Sequence, residues 1–317
     1  MTRHRLFKGV VAAVISFIVV GCATVLAVPM LRHYFVAVVN DPTGLPALET
    51  DPRVHYEAGA KACALAVASL LPAAIERVEK AQRRPFAREP AIGVYASHEA
   101  YAKANGLEDP TIAATSRSGR VILSPRLCDR ESSRLDGVLI HELSHAHLVG
   151  WRFSLLTRRP PSWFTEGLAV MVSAGAGAES VSERAAAEAI ANGYAIFVGD
   201  EGLWVDFDLI PFENDPPRDA SLPRQRLAYR QAAMFIEWLN HLDAQAFGRL
   251  LLLVEDGENF KESVRASYGR GTLQLWRGFV SALKLGNRGA YRGAVGFLRA
   301  RRPKDLGSGV VWLSLQR

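Results

Sequence analysis

The chain has 317 residues, of which 49% are hydrophobic and 22% charged, and its formal net charge is +6. This balance excludes an intrinsically disordered or low-complexity chain, and the length allows one large globular domain with a sizeable core. The basic residues are scattered and form no stripe interleaved with aromatic side chains, so nucleic acid is not expected as a partner.

An apolar segment at residues 9–31 follows three basic residues, Arg3, Arg5 and Lys8. As a helix it would be about 35 Å long, enough to cross a hydrocarbon core of about 30 Å. The preceding positive charges predict a cytoplasmic N-terminus and an extracytoplasmic remainder, which makes the chain a single-pass membrane protein. Two alternatives stay open, a bacterial lipoprotein signal with lipidation at Cys22 and a cleaved secretion signal.

The composition divides the chain into four segments. Residues 1–35 are the predicted cytoplasmic tip and transmembrane anchor, 36–54 a linker, 55–285 the main domain and 286–317 a basic C-terminal tail. Within the main domain, Cys63 and Cys128 would form a disulfide in an oxidising compartment. The alternative, two buried free thiols, is equally compatible with the alanine-rich surroundings of Cys63.

The pattern after the linker predicts helix, strand, helix and strand, and then almost only helices. In chain order the predicted elements are helix 56–80 interrupted near Pro72, strand 92–95, helix 97–104, strand 121–124, helices 133–149, 162–173, 180–191, 226–241, 244–254, 259–268 and 272–284, and a weak strand at 310–315.

The predicted helix 133–149 carries the sequence HELSH at residues 141–145. His141 and His145 lie about 40° apart around the helix axis and one turn apart along it, so both imidazoles can reach one metal. The side chain of Glu142 can reach a water on that metal and act as general base, as in a metallopeptidase. His147 lies about 200° around from His145, so it is expected to be solvated or to support the site indirectly.

A catalytic zinc needs a third protein ligand and an open position for water. The sequence WFTEGLA at residues 163–169 supplies Glu166, 21 residues after His145. We expect its helix to lie antiparallel to the first with Glu166 facing back toward the histidines, while Gly167 leaves room for close helix contact. His141, His145 and Glu166 are therefore predicted to hold one zinc ion per chain.

The two motifs together resemble those of the gluzincins, specifically the branch called peptidase MA-like. That group pairs a His-Glu-x-x-His helix with a later Trp-x-x-Glu-Gly-(Leu/Phe)-Ala helix, and this chain matches both motifs at every defining position. The resemblance covers roughly residues 55–285, and outside the two motifs it is a loose pattern. The resemblance implies a zinc metallopeptidase acting on a peptide or protein substrate. It also implies an α+β fold, with a small mixed sheet ahead of the active-site helix and a mostly helical C-terminal half.

The same resemblance implies two further roles. Residues 121–124 would be the edge strand along which an extended peptide lies, and Tyr229 would stabilise the oxyanion of the tetrahedral intermediate. The chain also departs from its relatives. It has no Gly-x-Met-Glu-Asn segment, which leaves exopeptidase specificity without support, and Val170 replaces the acidic residue of thermolysin-like enzymes. The alternative to an enzyme is a non-catalytic envelope binding or assembly factor with this fold.

Overall fold

The structure is a computed structural model that describes residues 16, 29–117, 119–149, 159–201, 210–216 and 223–284. A small mixed sheet is followed by helices, which is an α+β arrangement. The elements are helix α1 (Pro29–Val39), strands β1 (Ala47–Leu48) and β2 (Asp51–Tyr56), helix α2 (Lys61–Gln82), strand β3 (Ala91–Val94), helix α3 (His98–Asn105), strands β4 (Ala114–Arg117) and β5 (Arg120–Leu123), and helices α4 (Leu135–Val149), α5 (Ser162–Val172), α6 (Glu183–Ala191), α7 (Arg224–Leu242), α8 (Ala244–Glu255), α9 (Phe260–Tyr268) and α10 (Thr272–Lys284).

Five strands form one sheet in the order β1-β2-β3-β5-β4. The central strands β2, β3 and β5 are parallel, with Val54 opposite Ile92 and Ile92 opposite Val121. These three side chains are completely buried, so the middle of the sheet forms part of the hydrophobic core. Strands β1 and β4 are antiparallel to their neighbours and form the two edges.

The expectation that residues 121–124 form the edge strand is wrong. Strand β5 pairs with β3 on one side and with β4 on the other, so it is internal. The edge is β4, whose sequence ATSR is short and polar and therefore gave no strand signal of its own. Gly119 has a φ of 77°, a left-handed conformation that favours glycine, where the chain leads into β5.

Helix α2 is continuous through Pro72, although an interruption was expected there. A proline inside a helix removes one backbone hydrogen bond and crowds the preceding turn. Here the apolar face of the helix compensates, because Ala64, Val67, Leu71, Ala74 and Val78 are all buried in the core. Tertiary packing therefore outweighs the local cost of the proline.

The helical half is built around aromatic side chains. Trp163 and Phe164 on α5 are buried, with Trp163 5.2 Å from Phe235 on α7 and Phe164 4.9 Å from Phe260 on α9 between ring centroids. A Cβ at Gly167 would lie only 2.8 Å from the backbone of Ala232. Only glycine allows α5 and α7 to approach so closely, which gives Gly167 the role expected from the sequence.

The prediction of a membrane-spanning helix is wrong for the residues that the structure describes. The single-pass localisation was based on that helix and is wrong with it. Among the residues that the structure describes, no helix has the length and apolar character needed to cross a bilayer. Residues 9–28, except Ser16, lie outside the described residues.

Other expectations also fall on residues that the structure does not describe. These are the lipoprotein signal at Cys22, the basic tail 286–317 and the strand at 310–315. The sheet begins at Ala47, within the segment assigned from the sequence as a linker.

Cys63 and Cys128 form a disulfide with their Cα atoms 5.5 Å apart, which decides between the two alternatives for these cysteines. The bond joins the first turn of α2 to the segment between β5 and α4. We expect the double variant Cys63→Ala/Cys128→Ala to unfold with about 2–4 kcal/mol less stability, because the unfolded chain gains the entropy of an open loop. Urea denaturation measures this loss. The reductant tris(carboxyethyl)phosphine should lower the midpoint of the wild type and leave that of the variant unchanged; equal midpoints for the two proteins would contradict the bond.

Candidate metal centre

Helix α4 is oriented by its apolar side. Leu139 and Leu143 are completely buried in the core, and Leu135, Val138 and Ala146 are nearly so. Burial of this side fixes the rotation of the helix about its axis. The histidines at positions 141 and 145 consequently face α5, as helical spacing requires.

The side chains of His141, His145 and Glu166 converge as the sequence predicts. Nε2 of His141 lies 3.1 Å from Nε2 of His145. The two oxygens of Glu166 lie 3.3 Å from His141 Nε2 and 3.2 Å from His145 Nε2. Ligand atoms of all three residues lie within 4.8 Å of one another, so the group could hold a metal ion.

The donor atoms indicate which kind of cation the group could hold. The two Nε2 atoms are 3.1 Å apart, and each lies within 3.3 Å of a different oxygen of Glu166. Two imidazoles with one carboxylate suit zinc better than magnesium or calcium, which prefer oxygen ligands alone. The three side chains could therefore hold one metal ion, and their chemistry is compatible with zinc.

A backbone carbonyl orients the first histidine. Nδ1 of His141 lies 3.0 Å from the carbonyl oxygen of Ala176, in the loop after α5. A carbonyl only accepts hydrogen bonds, so Nδ1 carries a proton, and in the neutral ring Nε2 presents its lone pair to the group. Val170 is buried in a small apolar cluster with Ala178 and Ala233. The partner of His141 Nδ1 is therefore a main-chain oxygen and not a carboxylate.

The two glutamates of the site have opposite electrostatic environments. Burial raises the pKa of Glu142, and the neighbouring Glu166 charge raises it further against the opposing effect of the two histidines. Burial alone would also raise the pKa of Glu166, but the charges and hydrogen bonds of His145 and His141 outweigh it and hold that pKa well below its usual range. The carboxylate in contact with the histidines is thus suited to be a ligand, and the other to exchange a proton.

Tyr229, on α7, lies beside the first histidine. Its ring stacks on that of His141, with centroids 6.3 Å apart and planes 21° apart. The side chain is half-buried and also packs against the cluster around Val170. Its ring is therefore at the site, and the role of its hydroxyl stays a prediction.

His147 is not solvated, contrary to one of the two expectations for it. It is only 3% exposed, with Nδ1 2.7 Å from Gln82 Oε1 and Nε2 2.8 Å from the carbonyl oxygen of Arg84. Gln82 also donates to Ser144 Oγ at 2.6 Å, and Glu255 Oε1 lies 3.3 Å from His147 Nδ1. This buried polar network holds α4 against α2 and α8 on the side away from the candidate ligands.

The contribution of the loop after α5 was missed from the sequence. The partner of His141 is a backbone oxygen, which any residue type supplies, so side-chain identity carries no signal for it. The run AGAG at residues 174–177 was the available indication, because alternating glycines favour a tight loop with unusual backbone angles.

Comparison with protein-family models, with curated proteins and with solved structures finds no match.

Proposed function

We propose that this chain is a zinc-dependent metallopeptidase of the gluzincin type. The observation that carries the proposal is the convergence of His141, His145 and Glu166, whose ligand atoms lie within 4.8 Å of one another, with Glu142 next to His141 on the same helix. Three protein ligands leave a fourth position open, which distinguishes catalytic from structural zinc sites. When bound, zinc lowers the pKa of a water molecule and polarises a carbonyl group.

Glu142 is the general base of the proposed reaction. Its carboxylate accepts the proton of the attacking water and then delivers it to the nitrogen of the leaving amine. A carboxyl group whose pKa is raised by burial accepts and releases a proton more readily near neutral pH than an exposed one. The phenol hydroxyl of Tyr229 donates a hydrogen bond to the oxyanion that forms on the scissile carbonyl.

The substrate class is inferred from one edge of the sheet. Among the described strands, β4 pairs only with β5 and so forms an edge, and it contacts α4, which carries the two histidines. An extended peptide binds to such an edge through main-chain hydrogen bonds, which suits a segment of a peptide or protein chain. Strand β4 therefore takes the role of peptide-binding edge that was expected for residues 121–124, because those residues belong to the internal part of the sheet.

A fluorogenic peptide library tests the proposal with the full-length protein. We expect cleavage of a subset of peptides, loss of cleavage with 1,10-phenanthroline and recovery with about one equivalent of zinc, because the site holds one ion. A protein that binds zinc but cleaves neither the library nor an unfolded protein substrate would favour the non-catalytic binding factor. Cleavage that persists in the metal-free protein would exclude the mechanism.

A further inference from the structure

The loop of residues 174–181 (the 174–181 loop) follows α5 and carries the carbonyl that contacts His141. It leaves the helix through a left-handed turn, with φ of 57° at Ala174 and 111° at Gly175. The amide of Gly175 donates to the carbonyl of Val170 at 2.8 Å, and that of Ala178 donates to the carbonyl of Gly175 at 3.0 Å. The loop is therefore a compact, internally bonded turn that starts about two helical turns after the ligand Glu166.

Small residues let this loop approach the metal centre closely. A Cβ at Gly137, one turn before His141 on α4, would lie 3.2 Å from the Cβ of Ala176. Gly177 has a φ of 87°, and a Cβ there would lie 3.2 Å from His141 Cε1 and 3.3 Å from Tyr229 Cδ2. Larger side chains at either glycine would push the Ala176 carbonyl away from the imidazole.

Two arginines bind the loop, one from α7 and one from the segment before α4. Arg230, the residue after Tyr229 on α7, donates from Nε to the carbonyl of Val181 at 2.8 Å and from Nη2 to the carbonyl of Ala178 at 3.1 Å. Its guanidinium also covers Gly175, whose Cβ would lie 2.9 Å from Nη2. Arg134, the residue immediately before α4, lies 2.9 Å from Glu179 Oε1.

Glu179 lies within the loop, and its carboxylate bonds both to the loop backbone and to Arg134. Burial alone would raise the pKa of Glu179, but hydrogen bonds from the backbone amides of Glu179 and Gly177, together with Arg134, hold it below its usual range. The Glu179 carboxylate therefore links Gly177 to Arg134. Gly177 lies against His141, and Arg134 immediately precedes the helix that carries His141.

We infer that Arg230 is a positioning residue for the metal centre. By holding the carbonyls of Ala178 and Val181, it keeps the Ala176 carbonyl against Nδ1 of His141 and so keeps the Nε2 lone pair aimed at the ion. This inference rests on the proposed metal centre. It extends the site to Arg230, which acts through the loop and not by contact with a metal-ligating residue. Partners that orient ligand histidines typically contribute about 10–100-fold to metal affinity.

Zinc affinity of the full-length protein, measured by competition with a chromophoric chelator, tests the inference. We expect Arg230→Ala to weaken zinc binding by about 10–100-fold. Arg230→Lys should fall between this variant and the wild type, because a lysine cannot reproduce the fork that holds two carbonyls. The matched control is Arg249→Ala, which removes a 3.0 Å bond from a guanidinium to the carbonyl of Ser267 far from the site.

The control separates positioning from general stability. Both alanine variants should lower the thermal midpoint of the metal-free protein, but only Arg230→Ala should lower zinc affinity. Equal affinity in the two variants would overturn the positioning role. If Arg230→Ala does not fold, Arg230→Lys and Glu179→Gln carry the same comparison. A wild type that binds no zinc would instead overturn the metal centre itself, and this inference with it.

Discussion

Replacing Glu142 by glutamine is expected to lower kcat for peptide hydrolysis by about 10²–10⁴-fold while zinc stays bound. The amide has nearly the same shape as the carboxylate but cannot accept the proton of the attacking water. The zinc ligands are other side chains, so metal content should remain at about one ion per chain. Hydrolysis of a peptide selected from the library, together with elemental analysis of the same preparation, measures both quantities.

Glu188→Gln is the matched control for this variant. Glu188 is exposed on α6 and pairs with Arg184 at 2.6 Å, so the same chemical change there should leave turnover and zinc content unaltered. The Glu142→Gln protein also controls for a contaminating protease, because such a protease would cleave the peptide equally in the wild-type and Glu142→Gln preparations. Turnover at the wild-type rate in a zinc-loaded Glu142→Gln protein would remove Glu142 from the mechanism.

Replacing His145 by alanine is expected to abolish stoichiometric zinc binding, and with it all hydrolysis. Three protein ligands hold a catalytic zinc, and the loss of one leaves only two in a buried site. The variant should also lose the stabilisation that a ligand confers on the folded state, about 4 kcal/mol when zinc is present at a thousand times its Kd. Thermal unfolding with and without zinc measures this linkage.

The control for this variant is His241→Ala, since His241 is exposed near the end of α7. The wild type and the control should both show a higher midpoint with zinc, and His145→Ala should show the same midpoint with or without it. Wild-type zinc content in His145→Ala would mean that the ion binds elsewhere on the chain, which would remove the basis of the proposed function.

The helix that carries HELSH was predictable because the information lies within one stretch of chain. Apolar side chains at helical spacing select the buried side, and the position of the two histidines relative to that side follows from 3.6 residues per turn. The same reasoning applies to α5, where Gly167 indicated close helix contact. The structure shows Gly167 against α7, and Trp163 and Phe164 of the same helix against α7 and α9.

Other features depended on long-range contacts and were not predictable from local pattern. Strand β4 is polar and takes its place at the sheet edge only through pairing with β5. Helix α2 continues through Pro72 because its apolar face is buried. His147 looks like a surface residue in the sequence, yet Gln82 from α2 and the backbone at Arg84 enclose it.

By itself, the sequence determined which residues could bind a metal and which could serve as base, since residue type and helical spacing decide both. Only the tertiary structure decided that Glu166 reaches the two histidines, that Cys63 bonds to Cys128, and that a main-chain oxygen at Ala176 orients His141. The physical reason is that convergence of distant segments depends on packing across the whole core. A backbone carbonyl is moreover common to every residue, so its role becomes visible only when the chain is folded around it.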